Sequence, residues 1–346
     1  MADLAPGPAE GQEPLPPPAE SSPASPPTEN RPSLGRRVLQ YTTWIPALVP
    51  AAIVLAIIWQ LLVASGFSLV PFRGPTDFGW EFFGSTWQPH ASPARWGILV
   101  FVVGSFLTAV PALVFSMVIG LGIAMASTTY LPRFVSRFLD PFVDLLAGIP
   151  SVVYGIWAYL AIAPYFGTVL NPWIYSHFSI VPGFGGPPPL AIGIGLPISI
   201  FILTLMALPI TTLLIRDALR SVPKDLWESG LALGATRWET LRRVAIPHSS
   251  RGILSAAFLG FGRAFSETIA LALLLGVVTS YPANFYQETA TLATVMLQNL
   301  DAAYGNTQWL AALSEMALVL LAVSLLVNVL GRRLVSTFVA YDVAGL

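Results

Sequence analysis

An arginine and a glutamate lie near the middle of an apolar stretch that runs from Gly252 to Thr279. On a membrane-insertion scale, a central arginine or acidic residue costs roughly 2.5 to 3.5 kcal/mol, so Arg263 and Glu267 together cost about 5 to 7 kcal/mol before any mutual compensation. At positions i and i+4 of a helix, their side chains point about 40° apart and can touch. Such a pair indicates either a polar path for a solute or a salt bridge that ties helices together.

The chemistry of the pair suits an oxyanion. The guanidinium of Arg263 can present two parallel donors to phosphate or sulfate. The carboxylate of Glu267 repels an anion, yet it can accept the proton of hydrogen phosphate, whereas sulfate at neutral pH has no proton to donate. We therefore expect the pair to favour phosphate over sulfate. The open alternative for Glu267 is that it only neutralises Arg263.

Small and polar residues share one broad face of the predicted fifth span, at about 100° per residue. Such a stripe either lets helices approach closely or leaves room for a solute, and the two charges favour room for a solute. The members of the stripe are Ala256, Gly260, Arg263, Ser266, Glu267 and Ala270.

Composition places the chain in a membrane. Of its 346 residues, 55% are hydrophobic and 10% are charged, whereas soluble proteins average about 25% charged residues. The chain has no cysteine, which excludes disulfides and thiolate metal sites, and its histidines are too scattered in sequence to predict a metal site. The net charge of −1 argues against a nucleic-acid partner.

The chain divides into a short tail and one membrane domain. Residues 1–34 are rich in proline and are expected to form a disordered cytoplasmic tail rather than a signal peptide. Residues 35–346 contain apolar segments long enough to span about 30 Å of hydrocarbon. We predict an all-α integral membrane protein, a bundle of six transmembrane helices, at about 43–66, 97–126, 142–166, 189–216, 252–279 and 309–331.

The basic residues set the predicted orientation. If the N-terminus is inside, every Lys and Arg except Arg73, Arg95 and Arg263 lies on the cytoplasmic side. We therefore expect both termini to be cytoplasmic. Asp144 and Glu315 fall near the ends of spans and are expected to be interfacial carboxylates. The third span can enter as a short interfacial helix, and we expect a short helix from Phe285 to Leu300 in the last outer loop.

The longest polar inside loop, residues 221–247, has the local signals of two short helices. Pro223 suits the first position of one helix, and Gly234 suits the left-handed residue that ends it. Thr236 and Glu239 form a capping box for the second helix, and Pro247 is expected to stop that helix. The two helices present apolar surface on the cytoplasmic side, which predicts a protein partner or, alternatively, packing along the membrane surface.

The spacing in this loop resembles that of ABC importer permeases, in which Glu-Ala-Ala, a glycine and a proline recur at fixed intervals. Here the pattern reads Glu228-Ser229-Gly230, then Gly234, then Val244-Ala245-Ile246-Pro247. In that family the loop is the coupling helix, which docks on a separate ATP-hydrolysing subunit. The resemblance implies that Glu228, Gly234, Trp238 and Pro247 serve this coupling.

A narrower resemblance is found within the spans. Residues Gly262 to Thr268 look like the Gly-Arg-Ala-x-Gly-Glu-Thr signature of phosphate ABC importer permeases. Residues Leu146 to Gly155 look like the third-span motif of the same family, and their sequence resembles the PstC-type subunit more than its partner. The resemblance implies a substrate pathway that contains Arg263, Glu267, Ser266 and Thr268. The implied pathway also includes Gly148, Pro150 and Ser151 of the third-span motif. Ser266 departs from the family's glycine, and its hydroxyl could add a ligand or narrow the path.

The resemblance also implies the wider system: a type I importer in the inner membrane with a second homologous permease, two ATP-binding subunits and an external phosphate-binding protein. No G-x-x-x-x-G-K-[ST] loop is present, so ATP is expected to bind the partner, and we expect no cofactor and no enzymatic site in this chain. Two alternatives stay open: a permease for another oxyanion such as sulfate or molybdate, and an ion-coupled secondary transporter that uses Glu267 as a proton carrier.

Overall fold

The computed structural model describes residues 34–65, 82–276 and 278–344. The predicted disordered tail therefore lies outside the described residues, except for Leu34. Two compact units are distinguished, one that ends at Leu55 and one that runs from Ala56. The first contributes the N-terminal part of a helix, and all packing described below belongs to the second.

Most of the described chain is helical. The elements are α1 (Leu34–Ala64), β1 (Trp87–Gln88), β2 (Arg95–Trp96), α2 (Leu99–Met125), α3 (Arg133–Gly148), α4 (Ser151–Trp157), α5 (Ala163–Tyr165), α6 (Asn171–Phe178), α7 (Leu196–Arg220), α8 (Lys224–Ala232), α9 (Arg237–Thr240), α10 (Ile246–His248), α11 (Ser250–Phe265), α12 (Ile269–Leu274), α13 (Leu292–Ala303) and α14 (Thr307–Ala344). Wider π-helical turns follow α2 (Ala126–Tyr130), flank α5 (Ala158–Ile162 and Phe166–Leu170) and precede α10 (Leu241–Ala245).

Long apolar helices confirm the membrane-spanning class. Within the described residues, four helical segments are long and apolar enough to cross a bilayer, and Leu48–Ala64 forms a shorter apolar helix. They lie at the predicted first, second, third, fourth and sixth spans, with shifted bounds. The four longer segments are Leu99–Tyr130, Ser151–Phe178, Leu196–Arg220 and Thr307–Gly331.

The predicted third span has the wrong bounds. α3 ends at Gly148, and the backbone is extended at Ile149 and Pro150, with ψ angles of 126° and 140°. Pro150 has no N–H to donate and disfavours a helical conformation at the preceding residue, which explains the break. The crossing segment is Ser151–Phe178 rather than 142–166, so its helix extends into the region predicted to be an outer loop from residue 167.

The predicted fifth span is not one continuous helix. α11 ends at Phe265 and α12 begins at Ile269, so Ser266, Glu267 and Thr268 form a break inside the apolar stretch. The N–H of Ser266 turns back to the carbonyl of Gly262 at 3.2 Å, which closes the last turn of α11. The prediction of a continuous helix was wrong because apolar composition does not show where backbone hydrogen bonding is interrupted.

Small residues bring α2, α7 and α11 close together. A side chain at Gly260 would lie 2.6 Å from Thr211 Cγ2, and one at Gly120 would lie 3.1 Å from the hydroxyls of Thr211 and Thr212. Ala256 is fully buried. Without a hydrophobic driving force between helices in lipid, close backbone approach is a main source of their association. Ala256 and Gly260 therefore serve helix packing, which corrects their expected place along a solute path.

On the predicted outer side, a small hairpin departs from the all-α class. β1 and β2 pair antiparallel, with Trp87 opposite Trp96. The two indole rings lie edge to face at 5.3 Å, and the ring of Trp87 also contacts Phe101 at the start of α2. The last outer helix, α13, begins at Leu292 rather than at the predicted Phe285.

Two glycines of the turn before α7, Gly193 and Gly195, have a positive φ, and Gly193 has the closer neighbour. Gly193 has a φ of +76°, and a side chain there would overlap the carbonyl oxygen of Ala163. We expect Gly193→Ala to lower the free energy of unfolding by more than about 1 kcal/mol, because both the backbone conformation and the space exclude a Cβ. The measurement is the thermal midpoint of the purified protein in detergent.

Gly183→Ala is the matched control for this turn. Gly183 also has a positive φ, of +89°, but nothing lies within 4 Å of the place that an added Cβ would occupy. The thermal midpoint of Gly183→Ala should therefore fall less than that of Gly193→Ala. Equal midpoints for the two variants would contradict the close contact with Ala163.

Candidate functional site

The break in the fifth span holds the arginine and glutamate as an ion pair. Arg263 Nη1 lies 3.3 Å from Glu267 Oε2, with the arginine side chain 41% exposed and the glutamate side chain 4% exposed. Glu267 is the partner found for Arg263 among the described residues. The other guanidinium nitrogens therefore remain available, and an anion that approached Arg263 would meet donors not already used by the protein.

The glutamate also caps the second half of the broken helix. Glu267 Oε1 accepts a hydrogen bond from the backbone N–H of Ala270 at 3.4 Å. The first N–H groups of a helix have no partner within the helix, so a carboxylate at this end satisfies one of them. One buried side chain thus contacts the last turn of α11 through Arg263 and the first turn of α12 through Ala270.

The break between α11 and α12 also contains two hydroxyl groups, those of Ser266 and Thr268. Ser266 Oγ donates to the carbonyl of Gly262 at 2.8 Å, and Thr268 Oγ1 donates to the carbonyl of Ser266 at 3.3 Å. Ser266 is exposed and Thr268 is half-buried. Because each hydroxyl uses its proton on the backbone, each can still accept a hydrogen bond from a protonated solute. The predicted residues Arg263, Ser266, Glu267 and Thr268 therefore lie together.

An apolar cavity of about 380 Å³ borders this break at Thr268. Leucine, methionine and alanine side chains of α1, α13 and α14 form most of its wall, with Ser314 as a second hydroxyl. The lining residues are Leu61, Thr268, Ala293, Met296, Leu297, Leu300, Leu310, Leu313, Ser314 and Ala317. Such a wall does not suit a charged solute, whereas the polar groups of the break are those of Arg263, Ser266 and Thr268.

The third-span motif reaches the break through a residue that was not predicted from the sequence. A side chain at Gly155 would lie 3.0 Å from Ala270 Cα, so α4 and α12 pack closely at this glycine. The residues that were predicted, Gly148, Pro150 and Ser151, lie at the junction between α3 and α4, where the space around Gly148 is open. A glycine inside an apolar helix was the available signal for Gly155.

The loop at residues 221–247 has the predicted pair of short helices. α8 begins just after Pro223, and Gly234 follows its end with a φ of +82°, as expected of a left-handed residue. The capping box is present, since Glu239 N–H donates to Thr236 Oγ1 at 3.3 Å and Thr236 N–H donates to Glu239 Oε2 at 2.8 Å. Hydrogen bonds from the backbone and the hydroxyl of Thr236 lower the pKa of the Glu239 carboxyl.

The proline after these helices does not stop the second one. The chain stays helical from Arg237 through a π-helical turn and α10 to His248, and Pro247 lies near the start of α10. The direction changes at Ser249, whose φ and ψ are −87° and 1°. A proline is tolerated in the first turn of a helix, where its missing N–H has no partner to lose.

The loop has a buried face and an exposed face. Val222, Leu241 and Ala245 are buried against the end of α2, the end of α7 and the first half of α11. On the other face Leu233 is 90% exposed and Trp238 is 49% exposed. Leu226, Leu231 and Glu228 are exposed as well. The loop is therefore fixed to the membrane helices on one side and presents an apolar surface on the other.

The two short helices of the loop cross closely at a glycine. A side chain at Gly230 would lie 2.8 Å from Thr240 Cγ2 and 3.1 Å from Thr240 Oγ1. The family pattern has alanine at this position, and a methyl group added at Gly230 would require Thr240 to move.

Comparison with known proteins places this architecture in a family. The family model described as "Binding-protein-dependent transport system inner membrane component" matches residues 118–338. The phosphate transport system permease protein PstC of Mesorhizobium japonicum is 33% identical over 286 residues, which cover 80% of this chain and 86% of that protein. That of Haemophilus influenzae is 30% identical over 303 residues, 85% of this chain and 94% of that protein.

Solved structures share the fold at low sequence identity. A bacterial alginate ABC transporter, in complex with alginate pentasaccharide-bound periplasmic protein, matches with a TM-score of 0.58 at 17% identity, over 87% of this chain and 96% of that chain. The fold is thus that of type I ABC importer permeases, as predicted. The chain belongs to the family of binding-protein-dependent transport system inner membrane components, and within it to the PstC-type permeases.

Proposed function

We propose that this chain is the membrane permease subunit of an ATP-driven importer of inorganic phosphate, and that it forms half of the translocation pathway. The observation that carries the proposal is the break at residues 266–268, which holds a partly exposed Arg263 beside a buried Glu267. The guanidinium supplies fixed donors to the anion. The names of the relatives in Mesorhizobium japonicum and Haemophilus influenzae support phosphate as that anion.

The energy comes from a separate polypeptide in this proposal. The sequence has no phosphate-binding G-x-x-x-x-G-K-[ST] loop. The exposed apolar face with Leu233 and Trp238 has the composition of a protein contact, because aromatic residues are enriched at the cores of interfaces. We assign this face to an ATP-binding subunit, of which the complex has two copies.

Two further partners complete the assembly. A second homologous permease supplies the other half of the pathway, and an external phosphate-binding protein delivers the anion. The alginate transporter, solved in complex with a periplasmic protein, supports the external binding protein. With both termini cytoplasmic, the loop at residues 221–247 lies on the same side as the ATP-binding subunits.

Transport proceeds by alternating access. ATP binding closes the ATP-binding subunits, and the loop at residues 221–247 passes the movement to α7 and α11, which adjoin it. The pathway then opens outward to receive phosphate at Arg263, and hydrolysis resets it inward. Because α11 ends at Phe265 and α12 begins at Ile269, the break is the point at which the two helices can change their relative angle, and Glu267 keeps them in contact.

The experiment is uptake of radiolabelled phosphate by proteoliposomes that contain the whole complex, with ATP inside or omitted. We expect ATP-dependent uptake that excess phosphate competes away and that excess sulfate or molybdate does not. Uptake should persist when a protonophore collapses the proton gradient. Competition by sulfate, or collapse with the gradient, would contradict the proposal and favour another oxyanion or an ion-coupled transporter.

The carboxylate is expected to set the choice of anion. Glu267→Gln keeps an oxygen that can accept a hydrogen bond from Ala270 N–H. It removes the negative charge that strengthens a hydrogen bond donated by the P–OH group of hydrogen phosphate. A hydrogen bond to a charged group contributes about 1.5 to 3 kcal/mol, so the preference for phosphate over sulfate should fall by roughly 10- to 100-fold. The measurement is the ratio of uptake rates for the two labelled anions.

Asp301→Asn serves as the control for this charge removal. Asp301 is exposed on α13, and its change should leave the ratio as in the wild type. An unchanged ratio in Glu267→Gln would show that Glu267 only neutralises Arg263.

A further inference from the structure

A cluster of four charges joins α3 to the cytoplasmic end of α7. Arg216 Nη1 lies 2.7 Å from Asp140 Oδ1, and Arg216 Nη2 lies 3.5 Å from Asp144 Oδ1. Arg220 Nη2 lies 3.0 Å from Asp140 Oδ2. The two carboxylates are one helical turn apart on α3, and the two arginines are one turn apart on α7. The formal charges balance.

This cluster is the main attachment of α3 to its neighbours. Ser136 is the one buried side chain of α3 among those described, and its hydroxyl donates to the carbonyl of Ser127 at 2.9 Å. The aromatic face of α3 is open, with Phe134 82% exposed and Phe138 61% exposed. Tyr154 also donates its hydroxyl to the carbonyl of Leu146 at 2.9 Å. With no buried apolar side chain among its described residues, α3 is held by polar contacts, and the charge cluster is the polar link to α7.

Arg216 is the buried member of the cluster, with a side chain only 5% exposed. Removing one partner of a buried ion pair leaves an uncompensated charge, which is far more damaging than breaking an exposed pair. Asp144, predicted to be an interfacial carboxylate, is 52% exposed and is also a partner of Arg216.

The C-terminal end of α7 is connected to α8, to the start of α11 and to α3. α7 ends at Arg220 and leads within a few residues to α8 of the coupling loop. The carbonyl of Ala218 accepts a hydrogen bond from Ser249 Oγ at 2.9 Å, just before α11 begins. Through the charge cluster the same end of α7 holds α3, which continues into the extended residues Ile149 and Pro150 and then α4.

We propose that Asp140, Asp144, Arg216 and Arg220 are positioning residues that transmit movement of the coupling loop to the junction between α3 and α4. When α7 shifts with the loop, α3 moves with it as one body and turns at Ile149 and Pro150. α4, which packs on α12 at Gly155, then changes the environment of the break that holds Arg263. This inference rests on the proposed ATP-driven import.

The test measures phosphate transported per ATP hydrolysed in proteoliposomes of the whole complex. Asp140→Asn and Arg216→Gln should each lower this ratio by at least about tenfold, while ATP hydrolysis continues. The loss in the double variant should be smaller than the product of the two single losses, because both changes break the contact between Arg216 and Asp140. Asp140→Glu, which keeps the charge, should recover most of the ratio.

Arg137→Gln is the matched control, since it removes an exposed arginine of the same helix that lies outside the cluster. Its ratio should equal that of the wild type. If Arg216→Gln fails to assemble, Arg220→Gln replaces it, because Arg220 is half-exposed and its acidic partner among the described residues is Asp140. A smaller but definite loss of the ratio is then expected, and an unchanged ratio would overturn the proposal.

A second readout does not depend on the substrate. The chain has no cysteine, so Phe138→Cys provides a single site for a spin label on α3. The label should become more mobile with Arg216→Gln and stay unchanged with Arg137→Gln. Suppose the wild-type complex imports phosphate with ATP, but Arg216→Gln changes neither the label mobility nor the ratio of phosphate to ATP. That result overturns the proposed role of the charge cluster and leaves the proposed function standing. A wild-type complex that does not import phosphate refutes the proposed function instead.

Discussion

Replacement of Arg263 by glutamine is expected to reduce phosphate uptake by roughly 100-fold or more, since two charge-assisted hydrogen bonds of about 1.5 to 3 kcal/mol each are lost. The guanidinium is partly exposed, and its described partner uses one nitrogen only, so the remaining donors are those that an anion would meet. The measurement is the initial rate of labelled phosphate uptake by the reconstituted complex, normalised to the amount of assembled complex.

A double variant separates anion binding from charge balance. Arg263→Gln leaves the buried Glu267 without its cation, so part of the damage could come from that unpaired charge. Arg263→Gln with Glu267→Gln removes both charges and should assemble well but still fail to import phosphate. Recovery of uptake in the double variant would contradict the role of Arg263 as the anion ligand and leave only the salt-bridge interpretation.

The second large effect concerns the exposed face of the coupling loop. Trp238→Ala is expected to weaken co-purification with the ATP-binding subunit by at least about 30-fold, because a buried tryptophan at an interface commonly contributes about 2 kcal/mol or more. Trp238 is 49% exposed in the chain alone, and Leu233 in the same loop is 90% exposed. The measurement is the fraction of ATP-binding subunit that is retained when the permease is captured through an affinity tag.

Another tryptophan of similar exposure provides the control. Trp173 lies on α6 and is 54% exposed, outside the loop at residues 221–247. Trp173→Ala removes the same side chain and should leave co-purification unchanged. If Trp238→Ala also leaves it unchanged, the ATP-binding subunit does not dock on this face.

Local patterns were enough to predict the spanning helices and the coupling loop. Apolar runs mark the helices because each must match the thickness of the hydrocarbon. Gly234 and the Thr236 to Glu239 capping box specify backbone geometry within a few residues, and both are present as predicted. These features depend on interactions between residues close together in the chain, so they can be predicted from a single sequence.

Features that depend on distant residues were not predicted. The break after Phe265 was missed because an apolar run containing Ser266, Glu267 and Thr268 reads the same whether its backbone hydrogen bonds continue or stop. The pairing of Arg216 with Asp140 was missed because each residue alone looks like an ordinary charge near a span end. The role of Gly155 required knowing that α12 lies against it.

The close crossing of α8 and α9 has an evolutionary consequence. Because Gly230 and Thr240 share one small volume, a mutation that enlarges one of them is tolerated only if the other shrinks. In an alignment of relatives, the two columns should therefore covary. Chains with alanine at position 230 should carry a smaller residue than threonine at position 240, or a wider crossing between the two helices.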